Sequence, residues 1–258
     1  MFKDDQNEID EIQDNVSNSD LNDTLIDTDT WTWNPNYKSC DVRIIDKNQK
    51  CVLFHPSWSQ GTSAIRGTKI LNNTRSYWEI FLPKRICGTS MMFGIGTEKS
   101  RLGSPDYIDL IGEDEHSWGL SHKGFLCHDG EYQKFCRPFR EHLPTTVGLL
   151  FDGIYGTLTY FKDDVCLGVG FRDLNKIKEP LYPIISSTSA KTVMTLQSTA
   201  SEFVSLKDRC RAVILENLKC IDDIQKLPLP TKMREYLMEN VEPDEITSHE
   251  RKWYVSAF

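Results

Sequence analysis

No stretch of this chain approaches the roughly 18 apolar residues that a helical membrane span needs, so none is expected. Cysteines at CxxC spacing are missing too. The eight present, Cys40, Cys51, Cys87, Cys127, Cys136, Cys166, Cys210 and Cys220, are scattered. Catalytic signatures are equally absent: there is no GxSxG, no P-loop and no HExxH, and Gly94-x-Gly96 lacks the third glycine and following helix of a dinucleotide site. No RING-type Cys/His array is present either. The six histidines, His55, His116, His122, His128, His142 and His249, are dispersed. His122, Cys127, His128 and Cys136 are neighbours in sequence, but at no familiar zinc spacing. These absences argue against an enzyme and imply no cofactor and no metal.

Basic residues are scarce at the amino end. Residues 1–30 hold ten acids and one base, Lys3, a net of −9, whereas the other 228 residues carry 29 bases and 28 acids. The body is near neutral, so binding to nucleic acid by phosphate neutralisation is not expected of it. The acidic start, MFKDDQNEID, fits neither a secretory signal nor an Arg-rich transit peptide. A cytoplasmic or nuclear setting follows as an expectation. There the cysteines stay mostly free thiols packed as small hydrophobes, and the sequons Asn15-Val16-Ser17 and Asn72-Asn73-Thr74 carry no glycan. Residues 1–30 contain no aromatic after Phe2 and are rich in Asp, Asn, Ser and Thr, so they are read as a disordered acidic tail.

What is present is 39% hydrophobic and 26% charged, a globular composition over 258 residues. The body opens at Trp31-Thr32-Trp33. Short runs of aromatic and β-branched residues then predict strands at 51–54, 77–82, 91–96, 117–121, 124–128, 146–152, 156–161, 166–171, 181–186 and 193–197. Turn residues separate them, as in His128-Asp129-Gly130, Asp152-Gly153 and Lys162-Asp163-Asp164. Many short strands with brief turns argue for an antiparallel β-sandwich. At 157–161, Leu158 and Tyr160 alternate with Thr157, Thr159 and Phe161. Either one face there is partly polar or both faces are covered. Trp78, Trp118, Phe161 and Tyr182 are read as core.

The period changes near residue 202. Leu206, Cys210 and Ile214 form an i, i+4, i+8 stripe in a helical run over 202–218, with Ser201 or Ser205 as its cap. Leu227-Pro228-Leu229-Pro230 breaks the run and is read as extended. A second helix over 232–239 places Met233, Tyr236 and Leu237 on one side. The stripe fits two uses: packing on the chain's own sandwich, or docking a foreign subunit. The four-residue break is equally compatible with a helix stop and turn. Residues 241–258, charged with an apolar end, are assigned to no element.

Eight short signatures stand in order: Ala64-Ile65-Arg66-Gly67, Tyr77-Trp78-Glu79-Ile80, Gly94-Ile95-Gly96-Thr97, Leu110-Ile111-Gly112, Ser117-Trp118-Gly119-Leu120, Asp152 with Gly156-Thr157-Leu158-Thr159, Leu167-Gly168-Val169 and Leu181-Tyr182-Pro183. With them, residues 31–199 resemble a SPRY domain. Ser205-Leu206-x3-Cys210-x3-Ile214, followed thirteen residues later by Leu227-Pro228-Leu229-Pro230, resembles a SOCS box over 200–240. Together they are similar to the SPRY domain-containing SOCS-box family. Ser187-Thr188-Ser189-Ala190-Lys191 stands where other paralogues carry a Val-Trp-Gly loop, which groups the chain with the family's third paralogue.

The resemblance implies a mainly β fold followed by a small all-α module. It also implies a non-catalytic substrate-recognition subunit of an elongin–cullin-5–RING ubiquitin ligase. Ser205, Leu206, Cys210 and Ile214 would dock elongin C, with elongin B, and Leu227, Pro228, Leu229 and Pro230 would select cullin-5 with its RING protein. Trp58, Gly61, Gly88, Thr89, Tyr107, Leu110 and Ser189 would line a pocket for a short target peptide. The first pocket loop is one residue shorter than in paralogues that bind Asn-rich peptides and lacks their arginine. These departures argue against the same Asn-rich peptide, while the persistence of Tyr107 and Gly88-Thr89 keeps an Asn-containing target peptide compatible with the resemblance. Neither nucleic acid nor membrane is an implied partner. Two other readings compete: a plain SPRY interaction module with a self-packed helical tail, and a lectin-like sandwich using surface tryptophans such as Trp58.

Overall fold

A computed structural model describes residues 30–83, 86–218 and 221–238. The expected acidic tail, bar its last residue, the segment 241–258 and Cys220 lie outside the described residues. Fifteen strands are described: β1 Trp33–Lys38, β2 Val42–Ile44, β3 Cys51–Phe54, β4 Thr62–Gly67, β5 Thr74–Leu82, β6 Met91–Gly96, β7 Gly103–Ser104, β8 Ser117–Ser121, β9 Phe125–His128, β10 Glu131–Lys134, β11 Thr145–Asp152, β12 Thr157–Lys162, β13 Val165–Phe171, β14 Tyr182–Ser187 and β15 Thr192–Phe203. Helices α1, Leu206–Glu216, and α2, Thr231–Met238, follow.

The strands form two antiparallel sheets. One runs β1-β4-β14-β6-β8-β9-β10, with β7 also pairing β4, and the other runs β13-β12-β11-β5-β15-β3-β2. Side chains alternate across each strand, so one set from each sheet meets in the middle. Trp78, Ile80 and Leu82 of β5 face Phe93 and Ile95 of β6 and Ile185 of β14 within this inner core. Trp31 and Trp33 close it from the amino end, their rings edge-to-face at 5.3 Å, with Trp78 6.3 Å from Trp31. Burying each such side chain is worth about 1.5–3 kcal/mol.

The ambiguous alternation in β12 resolves as two covered faces. Leu158 and Tyr160 point into the inner core, while Phe161 joins Tyr77, Leu150 and Ala200 on the outer face of the same sheet. The rings of Tyr77 and Phe161 meet at 5.8 Å. Trp78, Trp118 and Phe161 are buried as expected, but Tyr182 is not. It is half-buried, its hydroxyl donates to Glu98 at 3.0 Å, and its face covers the guanidinium of Arg66. Arg66 is the buried member of that pair, stacked between Tyr37 and Tyr182 and donating to the Thr97 carbonyl at 2.9 Å.

The helical run is shorter than its composition suggests. Ser201, Glu202 and Phe203 continue β15 by pairing with Ser76, Arg75 and Thr74 of β5, so α1 begins only at Leu206. The seven described cysteines are free thiols, as expected: among them only Cys127 is fully buried, Cys51, Cys87, Cys136 and Cys166 are half-buried, and Cys40 and Cys210 are exposed. Among the described residues no helix is long and apolar enough to cross a membrane.

Candidate functional site

At one pole of the sandwich four loops meet: the one after β3, the one before β6, the one after β7 and the β14–β15 turn. Hydroxyls join them. Tyr107 Oη donates to the Ser59 carbonyl at 2.7 Å, and Ser59 Oγ donates to the Thr188 carbonyl at 2.5 Å and to that of Gly61 at 3.2 Å. Thr188 Oγ1 accepts from Ser90 N at 2.9 Å and donates to Ser90 O at 3.0 Å. Cys87 Sγ and Ser189 Oγ lie 3.2 Å apart. Below them, His55 Nε2 sits 3.0 Å from the Ser187 carbonyl. The loops are thus fixed relative to one another before any ligand arrives, which lowers the entropy a ligand must overcome.

Trp58 is 83% exposed and Tyr107 49%, so two aromatic faces stand open to solvent beside each other's loops. Thr89 and Gly88 are also exposed. Gly88 adopts φ +100°, and a Cβ there would come within 3.1 Å of Ser189 Cβ and 3.2 Å of Thr188 Oγ1. A backbone free to approach closely therefore lies beside the aromatic wall.

Three expected pocket residues behave otherwise. Leu110 is buried in an outer-face cluster with Ala64, Met92, Ile111, Cys127 and Ile184, so it supports the loop from beneath and presents no surface. Gly61 is buried, and its missing side chain lets the Ser104–Pro105 backbone approach, a Cβ falling 2.1 Å from Ser104 O. Ser189 is also buried, its hydroxyl turned to Cys87. Ser59, Thr188 and Cys87 complete the constellation and are not among the pocket residues expected from the sequence. Their signal is only a clustering of hydroxyl residues in loops.

The second candidate surface is helical. Ser205 caps α1: its backbone is extended, its Oγ accepts from Asp208 N at 3.1 Å, and that hydroxyl donates to Asp208 Oδ2 at 2.6 Å. Along α1, Leu206 is 77% exposed, Cys210 and Val213 are exposed, and Ile214 is half-buried. Arg211 and Ala212 point the other way and are buried. An apolar ridge is therefore left uncovered while the opposite flank faces the molecule. Val213, outside the i, i+4, i+8 stripe, belongs to that ridge.

The Leu227–Pro230 segment is more compact than an extended strand. Leu229 N donates to the Leu227 carbonyl at 2.8 Å, a three-residue turn centred on Pro228, whose fixed φ suits it. The Pro230 carbonyl then accepts from Met233 N at 2.9 Å and Arg234 N at 3.1 Å, opening α2. Leu227 and Leu229 are half-buried and both prolines exposed. In α2 the expected apolar side splits: Leu237 is buried, Tyr236 half-buried and Met233 exposed.

A polar junction ties the helices together. Tyr236 Oη donates to Asp208 Oδ1 at 2.6 Å, and Lys207 Nζ lies 3.8 Å from the Tyr236 ring centroid. Burial acts to raise the Asp208 carboxyl, but the hydrogen bonds from Ser205 and Tyr236 outweigh it and hold the group below its ordinary range. Burial, with Asp208 as its neighbour, pushes the Tyr236 phenol up to about 12.

The four residues weighed as a zinc cluster have other partners. His122 Nδ1 accepts from Met91 N at 3.1 Å, and His128 stacks on Trp118 at 4.5 Å. Burial pushes the Cys127 thiol up to about 12, and burial also raises that of Cys136. Among the described residues no three His, Cys, Asp or Glu side chains gather as metal ligands.

Comparison with known proteins returns two family models, the SPRY domain over residues 75–199 and the SOCS box over residues 203–238. Strands β1 to β4 precede the first match yet pair into both sheets. The chain is 34% identical to SPRY domain-containing SOCS box protein 3 of Xenopus tropicalis over 80% of its length, and that match spans 57% of the frog protein. It is 30% identical to protein gustavus of Drosophila melanogaster over 80% of this chain and 78% of the fly protein. Among solved structures, the SPRY domain of human HERC1 superposes with a TM-score of 0.51 at 14% identity, covering 64% of this chain and 97% of that one, a likeness of fold.

Proposed function

We infer a function from one premise: the chain belongs to the SPRY domain-containing SOCS box family. Its proposed role is that of a substrate-receptor adaptor of a ubiquitin ligase, with no catalytic step of its own. The sandwich pole holding Trp58, Tyr107, Gly88 and Thr89 captures a short, Asn-containing peptide of a target. The helical module recruits elongin C with elongin B, and the Leu227–Pro230 turn favours cullin-5 and its RING protein. Transfer of ubiquitin then belongs to those partners. The receptor contributes proximity, raising the effective concentration of target lysines near the charged conjugating enzyme.

One observation carries this reading. Leu206 is the most exposed large aliphatic side chain among the described residues, and with Cys210 and Val213 it forms a ridge of the SOCS-box helix that is left open. A tail folded for the sandwich's own benefit would have covered it, which counts against the plain interaction module. The test is co-expression of the full chain with elongin B and C. A stable ternary complex is expected, which captures cullin-5. Leu227→Ala with Leu229→Ala keeps elongin and loses cullin-5. Purification of the chain free of elongin under these conditions would overturn the assignment.

A further inference from the structure

Arg211 is a charged residue on the inner flank of α1, and it is only 8% exposed. Among the described residues no carboxylate lies close enough to pair with it. Its guanidinium spans three elements. Nη1 donates to Tyr155 Oη at 3.4 Å, in the β11–β12 turn of the sandwich, and Nη2 donates to the Leu237 carbonyl at 3.4 Å, near the end of α2. The Tyr236 ring lies 5.4 Å from the guanidinium carbon, while Nε is buried without a partner.

A buried guanidinium so loosely satisfied is a poor source of stability, since an apolar side chain of similar volume would pack there without desolvating a charge. What Arg211 offers that such a side chain could not is reach to both bodies at once. Each end of the bridge is anchored. On the sandwich side, Asp152 Oδ1 accepts from Ile154 N at 2.8 Å and Tyr155 N at 3.1 Å, and Asp152 Oδ2 is held by Arg75 Nε at 2.8 Å. On the helical side, Tyr236 is tied to Asp208 and through it to the Ser205 cap. A continuous polar chain thus runs from β5 through the β11–β12 turn and Arg211 to both helices.

We propose that Arg211 is a positioning residue that sets the angle between the peptide-holding sandwich and the adaptor-docking helices, and thereby selects which lysines the ligase reaches. The inference rests on the receptor reading above for its consequence, but the angle itself does not. Proximity catalysis rewards a fixed geometry: if the two bodies swing, the same bound lysines are presented less often and others come into range.

The test uses the full chain bound to elongin B and C, with Arg211→Ala and, as a variant that leaves the buried charge in place, Tyr155→Phe. Residual dipolar couplings report the angle. In the wild type one alignment tensor fits the sandwich and both helices. In both variants the couplings of α1 and α2 are expected to shrink by roughly half relative to those of the sandwich, as independent swinging averages them. In the ligase reconstituted with cullin-5 and its RING protein, the receptor's own lysines serve as the acceptor. Both variants are expected to spread ubiquitin over additional lysines, with elongin capture unchanged. A single tensor still fitting both variants, or an unchanged lysine pattern, overturns the proposal. If the wild type fails to hold elongin, the receptor reading fails, and the couplings of the free chain still decide the angle.

Discussion

Replacing Leu206 by Ala separates a docking residue from a packing residue. In the free chain this side chain is 77% exposed, so its removal takes little apolar area out of the fold. Substitution at such a position shifts folding stability by no more than about 0.5 kcal/mol. If the same side chain enters a partner pocket, most of its surface leaves water on binding. Losing that burial costs about 2 kcal/mol, roughly a thirtyfold rise in Kd. The two effects are measured on one preparation: thermal melting of the free chain, and calorimetric titration with elongin B and C. The expected result is an unchanged melt with affinity weakened about thirtyfold. A melt lowered by ten degrees or so with unaltered affinity would show that Leu206 serves the parent fold, and the reasoning would fail.

Three further expectations follow from the geometry. Gly88→Ala must place a Cβ at φ +100° and 3.1 Å from Ser189 Cβ. It should shift that loop and weaken capture of an Asn-containing peptide about tenfold by fluorescence polarisation, with elongin binding untouched. Tyr107→Phe removes the hydroxyl that holds the Ser59 carbonyl. That costs about 1 kcal/mol of loop order, so peptide affinity should fall roughly fivefold in the same assay. Asp208 is held below its ordinary value of 3.8. A carboxyl so depressed contributes stability that is complete above that value and is lost as pH falls through the lowered one. Acid titration of the helical module, followed by circular dichroism, should therefore show a loss in that window that Asp208→Asn abolishes.

Much of the sandwich was legible because its central strands carry their own signal. β3, β6 and β8 fall on the residues that β-branched and aromatic enrichment picks out, with identical bounds. β4 was not legible: Thr62-Ser63-Ala64-Ile65-Arg66-Gly67 is small and polar, and it is wholly buried because β1 and β14 flank it. β1 carries Pro35, and β10 is charged and fully exposed at a sheet edge, so neither looks like a strand in isolation. Phe203 shows the reverse failure. It looks like the first apolar residue of a helix, yet pairing with Thr74 keeps it in β15. At the site, the exposed aromatics were readable, whereas the Ser59–Thr188–Ser90 circuit was not. Hydroxyls joined across 129 and 98 residues leave no local pattern. The Leu227–Leu229 turn is one of the two forms the segment left open, since proline excludes a helix but fits both an extended chain and a tight turn.

The central claim is that the α1 ridge is open in the free chain and covered by another protein. Cys210 stands in the middle of that ridge and is exposed, Cys40 is an exposed control on the sandwich, and Cys127 is buried with its thiol pushed up to about 12. Alkylation followed residue by residue by mass spectrometry, with and without elongin B and C, reads the claim directly. Cys210 and Cys40 should label at similar rates in the free chain while Cys127 stays unmodified. Bound elongin should slow Cys210 about tenfold or more and leave Cys40 unchanged. Equal labelling of Cys210 in the free and bound states, or a Cys210 already protected in the free chain, would contradict it.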